Sequence, residues 1–113
     1  MRDTIDATVY RGPLAVPQEE FRALCRRHRV AELALFGSAL RGDFGPESDI
    51  DFLVRFEPGA ERPWMGHFQA LEDDLSALLG RRIDVVDWNA VERSRNWIRR
   101  EAILSSAQRL FAA

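Results

Sequence analysis

The sequence predicts an α/β (α+β) fold in which helices pack on a small mixed β-sheet. Three observations indicate this class. Apolar residues alternate with polar ones in some segments and recur at helical spacing in others. Segments of the two kinds succeed one another along the chain, with glycine- and proline-containing turns between them. The 113 residues, 46% of them hydrophobic, are enough for one domain with its own core.

Composition and charge exclude several classes of protein. The formal net charge is −2, and all 16 basic residues are arginine, so no general basic field favours nucleic acid as a direct partner. The single cysteine, Cys25, excludes an internal disulfide and fits a reducing compartment. The N-terminus has early acids and no apolar signal-peptide core, and the longest apolar run is far shorter than a membrane span. We therefore expect a cytoplasmic protein that does not enter the membrane.

The chain opens with a segment of uncertain type and then a helix. Residues 1–15 show no sustained period, and we interpret them as an N-terminal arm of a domain spanning 16–113. Pro17 suits the first turn of a helix. The apolar face of that helix comprises Phe21, Leu24, Cys25 and His28. We interpret His28, at the edge of this face, as a capping or packing residue rather than a ligand.

Four strands are predicted. The first is the buried apolar run Val30–Phe36, which ends at Gly37. The second, 49–56, alternates with a clean period of two. Its core face is Ile50, Phe52, Val54 and Phe56, and its other face begins with Asp49 and Asp51. The third strand covers 82–87, and a short last strand covers 108–111.

Two long helices are predicted among these strands. The first has an apolar stripe at helical spacing and a glycine stop at Gly80. The stripe consists of Trp64, Phe68, Leu71, Leu75, Leu78 and Leu79. The second is predicted over 92–104. Its expected core side is Trp97, Ile98, Ala102 and Leu104, with Arg93, Arg95, Arg99 and Arg100 on the opposite, solvated side.

Carboxylates are grouped at the start of the second strand. Asp49 and Asp51 are two residues apart, so both side chains leave the same face, about 7 Å from each other. Carboxylate oxygens are ligands that Mg²⁺ prefers, and two such ions can hold the attacking and leaving oxygens of a phosphoryl displacement. Asp84 is the best third carboxylate if the third strand lies beside the second. The alternative is an ordinary polar strand face with Asp49 capping a turn.

A glycine-serine turn precedes these acids. The first strand runs into Gly37-Ser38, and a strand that ends in such a turn presents backbone N–H groups to an anion. The turn therefore favours the interpretation of the acids as a binding site over that of a polar strand face.

The combined pattern resembles a known family. Gly37-Ser38, ten intervening residues and Asp-x-Asp at 49–51 resemble the signature of the DNA polymerase beta-like nucleotidyltransferase superfamily. The fuller strings, residues 36–42 and 48–54, are most similar to the minimal nucleotidyltransferases (MNT proteins). Residues 78–86 are similar to the strand that carries the third carboxylate of that family.

This resemblance implies roles for six positions. Asp49, Asp51 and Asp84 would be the catalytic residues and the ligands of two Mg²⁺ ions, and Asp84 would also help to deprotonate the attacking hydroxyl. The nucleotide-binding residues would be Gly37, Ser38 and Arg41. The substrate would be a nucleoside triphosphate, usually ATP in MNT proteins, and the products would be a nucleotidylated acceptor and pyrophosphate.

The resemblance also implies a partner. MNT proteins commonly pair with a HEPN-domain ribonuclease as antitoxin and toxin, and the antitoxin would add AMP to a tyrosyl hydroxyl of the toxin within a hetero-oligomer. A chain of this length, without an evident acceptor-binding domain, fits an acceptor that brings its own binding surface. Two alternatives stay open. The protein could neutralise its partner by binding alone, through the arginine-rich side of the last helix and the Trp64 region, or it could act on a small molecule.

Overall fold

The fold is built on a mixed β-sheet, seen in a computed structural model that describes residues 16–37, 48–60 and 66–113. The strands of this sheet are β1 (Val30–Phe36), β2 (Ile50–Phe56), β3 (Ile83–Asp87) and β4 (Gln108–Ala112). Their spatial order is β3-β2-β1-β4. β1 runs antiparallel to both β2 and β4, and β2 runs parallel to β3. The predicted fold class and all four predicted strands are confirmed, whereas the predicted arm and Trp64 lie outside the described residues.

Helices connect and cover the strands. They are α1 (Gln18–Arg27), α2 (Gly66–Leu79), α3 (Trp88–Glu92) and α4 (Trp97–Ser106). α2 is the crossover between the parallel strands β2 and β3. It ends at Leu79 and is followed by Gly80, whose φ of 68° is the left-handed conformation expected of a glycine stop. No helix in the described part of the chain is both long and apolar enough to cross a bilayer.

The larger core lies between the sheet and helices α1 and α2. Phe21 of α1, Phe52 of β2 and Leu71 of α2 are fully buried in it, and the ring centroids of Phe21 and Phe52 are 6.3 Å apart. Cys25 is buried in the same core, and its burial raises the pKa of the thiol to about 12. The apolar face predicted for the first helix is confirmed, and Cys25 serves as a packing residue.

His28 joins α1 to α2. It is the C-cap residue of α1, and its Nε2 lies 2.7 Å from Oδ2 of Asp74 on α2. Arg27 also donates to this carboxylate, at 3.3 Å. The hydrogen bond with His28, together with that from Arg27, lowers the pKa of Asp74. The predicted capping and packing role of His28 is therefore confirmed.

The opposite face of the sheet carries a smaller core. Ala34 of β1 and Leu53 of β2 pack there with Val91 of α3 and Ile103 of α4. Asp51 precedes Leu53 by two residues on the same strand, so its side chain leaves the sheet on this face. The α3/α4 side of the sheet is thus the side on which the predicted site lies.

The predicted helix over 92–104 is wrong in extent. α3 ends at Glu92 and α4 begins at Trp97, so residues 93–96 separate two short helices, each of which begins with a side-chain cap. Asp87 accepts a hydrogen bond from the backbone N–H of Asn89 and begins α3. Asn96 accepts one from the backbone N–H of Arg99 and begins α4.

The predicted core side of that helix is also wrong for most of its members. Trp97 and Ile98 are 62% and 65% exposed, and Ala102 is exposed as well. Ile103 is the buried residue of α4, and Leu104 is partly buried against the smaller core. Because Trp97 and Ile98 lie about 120–140° round the helix from Ile103, contact through Ile103 turns them towards solvent.

A polar network fastens α3 to this face of the sheet. Arg55 on β2 donates from Nε to Oε1 of Glu32 at 2.7 Å and from Nη1 to Oδ1 of Asn89 at 2.7 Å. Its guanidinium also lies 4.8 Å from the ring centroid of Trp88. Arg109 on β4 donates to the second oxygen of Glu32 at 2.9 Å. The network links strands β1, β2 and β4 with the first turn of α3.

Candidate active site

Asp51 and Asp84 stand side by side on neighbouring strands. They are paired Cα positions in the parallel ladder of β2 and β3. Neighbouring strands lie about 4.8 Å apart, and paired residues point to the same face. Val86, two residues after Asp84, packs against the smaller core, so both carboxylates are on the α3/α4 side. The predicted position of Asp84 beside the Asp-x-Asp strand is confirmed, and its catalytic role remains a prediction.

The chain turns at Gly37 immediately next to Asp51. Phe36, the last residue of β1, is the Cα partner of Asp51, and Gly37 follows with φ of 82°, a conformation that favours glycine. A β-carbon on residue 37 would overlap Oδ2 of Asp51 and lie 3.1 Å from its Cγ. Glycine therefore lets the backbone at the end of β1 approach this carboxylate closely.

Asp49 lies one residue before β2 and is held by an arginine. Nη2 of Arg82 is 2.9 Å from Oδ1 of Asp49, and the two side chains are 81% and 51% exposed. The backbone N–H of Ile50 donates to the carbonyl of Arg82 at 2.9 Å, which ties the two segments together. Arg82 was not predicted as a site residue. The signal that could have identified it is its place two residues before Asp84, at the entry to the same strand face.

The chemistry of these residues fits a hard cation such as Mg²⁺. Asp51 and Asp84 offer adjacent carboxylates, and Mg²⁺ in proteins is typically bound by one or two carboxylates, with water and substrate phosphates as its other ligands. Within residues 16–37, 48–60 and 66–113, no three His, Cys, Asp or Glu side chains converge closely enough to hold a metal ion alone. Asp49 is directed to Arg82 instead. The described part of the site thus supplies two adjacent carboxylates, with one oxygen of Asp49 paired to Arg82 at the entry to the same strands.

Two predicted nucleotide-binding residues, Ser38 and Arg41, lie outside the described residues. Gly37 is the described part of the predicted phosphate-binding turn. Its nearness to Asp51 brings the turn and the carboxylates together, as the spacing of the motif requires.

The sequence matches the nucleotidyltransferase domain family over residues 19–110. It is also 45% identical over 65 residues to the protein adenylyltransferase MntA of Thermococcus cleftensis, an alignment that covers 58% of this chain and 63% of that protein. The chain therefore spans less than two thirds of the length of this relative.

Solved structures share the fold. A protein assigned as a minimal nucleotidyltransferase aligns with a TM-score of 0.59 and 34% identity, over 79% of this chain and 84% of the other. A complex of a tri-AMPylated Shewanella oneidensis HEPN toxin with an MNT antitoxin aligns with a TM-score of 0.55 and 21% identity, over 84% of this chain and 69% of the other. By the domain match and the 34% identical structure, this chain belongs to the nucleotidyltransferase domain family and, within it, to the minimal nucleotidyltransferases.

Proposed function

We propose that this protein is an Mg²⁺-dependent adenylyltransferase, which moves AMP from ATP to a hydroxyl group of a partner protein. The observation that carries this proposal is the in-register pairing of Asp51 with Asp84 beside the close turn at Gly37. The domain family supports nucleotidyl transfer, and the similarity to a protein adenylyltransferase supports AMP as the transferred group and a protein as the acceptor.

We further propose that the acceptor is a HEPN-domain toxin, for which this protein is the antitoxin. The support is the fold that the chain shares with an MNT antitoxin bound to a tri-AMPylated HEPN toxin. The acceptor group would be a tyrosyl hydroxyl of the toxin, and the two proteins would form a hetero-oligomer.

The proposed reaction exchanges a phosphoanhydride bond of ATP for a phosphoester bond to the acceptor. The oxygen of the acceptor hydroxyl bonds to the α-phosphorus of ATP, and the bond from that phosphorus to the oxygen bridging to the β-phosphorus breaks. Pyrophosphate leaves with the electron pair of that bond. The hydroxyl proton passes to the carboxylate of Asp84, which acts as the general base.

The remaining site residues hold the triphosphate. Asp49, Asp51 and Asp84 would hold the Mg²⁺ ions that accompany it, and bound Mg²⁺ would neutralise the charge that develops on the phosphoryl oxygens. The backbone at Gly37, with Ser38 and Arg41, would contact the β- and γ-phosphates.

A label-transfer assay tests the reaction. The purified protein is mixed with the protein encoded by the adjacent gene, Mg²⁺ and ATP labelled either at the α- or at the γ-phosphate. Label from the α-position alone should appear on the acceptor. Asp51→Asn and Asp84→Asn should each lower the rate by at least about 100-fold, since each removes a charged group that acts on the reacting phosphate.

Asp73→Asn is the matched control for these variants. Asp73 is an exposed acid on α2, across the sheet from the site, and its carboxylate accepts a hydrogen bond from Gln69 at 3.0 Å. This variant should transfer AMP at the wild-type rate. Transfer from the γ-position would show a kinase instead, and equal transfer by wild type, Asp51→Asn and Asp84→Asn would refute the assignment of the site.

Neutralisation by binding alone is the second candidate, and the exposure of Trp97 and Ile98 favours it. A rescue assay in cells that express the toxin distinguishes the two candidate functions. Rescue by the Asp49→Ala/Asp51→Ala variant, at the same protein level as wild type, would favour binding, whereas loss of rescue with binding retained would favour AMP transfer.

A further inference from the structure

The first turn of α4 exposes two large apolar side chains. Trp97 and Ile98, at 62% and 65% exposure, are the large hydrophobic residues that the described part of the chain leaves open to solvent. α4 has 10 residues, and Ile103 is the one among them that is buried. Isolated helices shorter than about 12–15 residues are marginal in water. α4 therefore has an apolar surface and little packing of its own to stabilise it.

Arginines surround this apolar pair. Arg93 and Arg95 in the turn before α4, and Arg99 in its first helical turns, are exposed, and none of the three forms an ion pair with a described residue. Arg100 differs, because its Nη1 donates to a backbone carbonyl of the preceding turn at 2.6 Å. Glu101 is the nearby exposed acid of the helix. In a chain of net charge −2, this is a local excess of positive charge beside exposed apolar area.

The same helix covers the face of the sheet that carries the site. Ile103 packs into the smaller core, on the side from which Asp51 and Asp84 project. β4 follows α4 directly, and its first residue, Gln108, pairs with Leu35, next to the end of β1 at the site. The C-terminal end of α4 thus lies near the carboxylates. At 1.5 Å per residue the helix is about 15 Å long, so its first turn lies about one helix length from its C-terminal end, on the face of the sheet that carries the site.

We infer that Trp97, Ile98, Arg93, Arg95 and Arg99, named here the α4 surface, dock the acceptor protein through an acidic patch with an apolar pocket. This inference rests on the proposed function, which requires a protein acceptor. Charge complementarity selects the occupant, because three guanidinium groups that form no ion pair within the described part of the chain favour carboxylates on the facing surface. Tryptophan and arginine are also the side chains that most often dominate the binding energy of protein interfaces.

Isothermal titration of the full-length protein with the protein encoded by the adjacent gene, without nucleotide, tests the inference. Trp97→Ser/Ile98→Ser should raise Kd at least about 10-fold, as expected when an interface anchor is lost. Arg93→Gln/Arg95→Gln/Arg99→Gln should raise Kd and make it less sensitive to added NaCl, because fewer charge pairs remain to be screened.

The matched control is Arg22→Gln on α1, across the sheet. It removes one positive charge far from the α4 surface, and it should leave both Kd and its salt dependence unchanged. All variants should keep the wild-type melting temperature, since exposed side chains away from structural features contribute little to folding stability.

Separate outcomes decide the docking inference and the proposed reaction. Wild-type binding without any AMP transfer, weakened by the α4 variants, would refute the reaction and support docking. Absence of wild-type binding, or equal Kd values for wild type and the α4 variants, would overturn docking even if AMP transfer occurs. Sedimentation provides a further outcome. If the wild type is a dimer and Trp97→Ser/Ile98→Ser is a monomer, the α4 surface binds a second copy of this chain, which would also overturn the docking inference.

Discussion

The Oδ2 atom of Asp51 occupies the space that a β-carbon on residue 37 would need, so glycine is required where the turn after β1 meets the first acid of β2. Gly59 is a matched comparison, because its φ of 84° is close to the 82° of Gly37 but a β-carbon there would meet nothing within 4 Å. Alanine at either position should cost about 1–2 kcal/mol of folding stability from its left-handed backbone.

Gly37→Ala alone should then displace the carboxylate of Asp51 and lower AMP transfer, while Gly59→Ala should retain it. Urea unfolding together with the label-transfer assay checks both variants. Equal transfer by the two would show that the position of Asp51 relative to the turn has no bearing on the reaction.

Arg82→Gln should strengthen cation binding without changing stability. The exposed ion pair of Arg82 with Asp49 is of a kind worth about 0–1 kcal/mol to folding. Its positive charge, however, competes for a carboxylate that is predicted to bind metal. Removing it should lower the Kd for Mn²⁺, a spectroscopic substitute for Mg²⁺, by roughly 3- to 10-fold. Titration without nucleotide measures this, with Arg22→Gln as control, and an unchanged Kd would contradict the competition.

Glu32 should make stability depend on acid pH. Burial raises its pKa, but the hydrogen bonds from Arg55 and Arg109 outweigh burial and hold the pKa below its usual value of 4.5. A carboxyl group with a lowered folded pKa contributes stability above its unfolded pKa, and that contribution is lost as the pH falls through the folded value. Glu32→Gln should therefore cost about 1–2 kcal/mol at neutral pH, with the difference from wild type shrinking below about pH 4.

Glu57→Gln is the control for Glu32, since Arg29 reaches Glu57 at 3.3 Å with side chains 57% and 38% exposed. Its effect should stay under about 0.5 kcal/mol at any pH. Urea unfolding of both variants and wild type across this range provides the comparison. A gap between wild type and Glu32→Gln that does not change with pH would contradict the expected titration.

The orientation of α4 can be tested by stability alone. Ile103 is 8% exposed and Ile103→Ala should cost about 2–5 kcal/mol, the usual range for truncating a buried isoleucine. Trp97→Ser should stay within about 0.5 kcal/mol of wild type. A larger loss of stability for Trp97→Ser than for Ile103→Ala would show that Trp97 packs in the core, and would contradict an exposed α4 surface.

Strand positions could be predicted from sequence, whereas the orientation of α4 could not. β2 alternates so regularly that its core face from Ile50 to Phe56 was predictable, and all four of those side chains are buried. In α4 the apolar residues lie on more than one side of the helix. Local periodicity does not specify which side meets the sheet, because this depends on Leu53 and Ala34, which are distant in sequence. The side-chain caps at Asp87 and Asn96 mark the starts of α3 and α4. These two polar residues indicate the true helix boundaries, which the spacing of apolar residues does not.

The candidate site was predictable in composition and less so in arrangement. Asp84 was placed beside Asp51 on condition that β3 neighbours β2, and the strand order meets that condition. The contact of Arg82 with Asp49 depends on how two exposed side chains meet at the entry to adjacent strands, which no local pattern specifies. The roles of Ser38 and Arg41 remain predictions.

The parallel register of β2 and β3 makes the site sensitive to strand pairing as well as to chemistry. Asp84 stands beside Asp51 because Ile83 pairs with Ile50 at the start of the ladder. Since side chains alternate along a strand, a slip of β3 by one residue against β2 would turn Asp84 to the opposite face of the sheet. A slip of two residues would restore the face but move Asp84 about 7 Å along the strand. A relative or designed variant can therefore carry all three acids in order and still lack the site, so the pairing register of β3 is as informative as the presence of the aspartates.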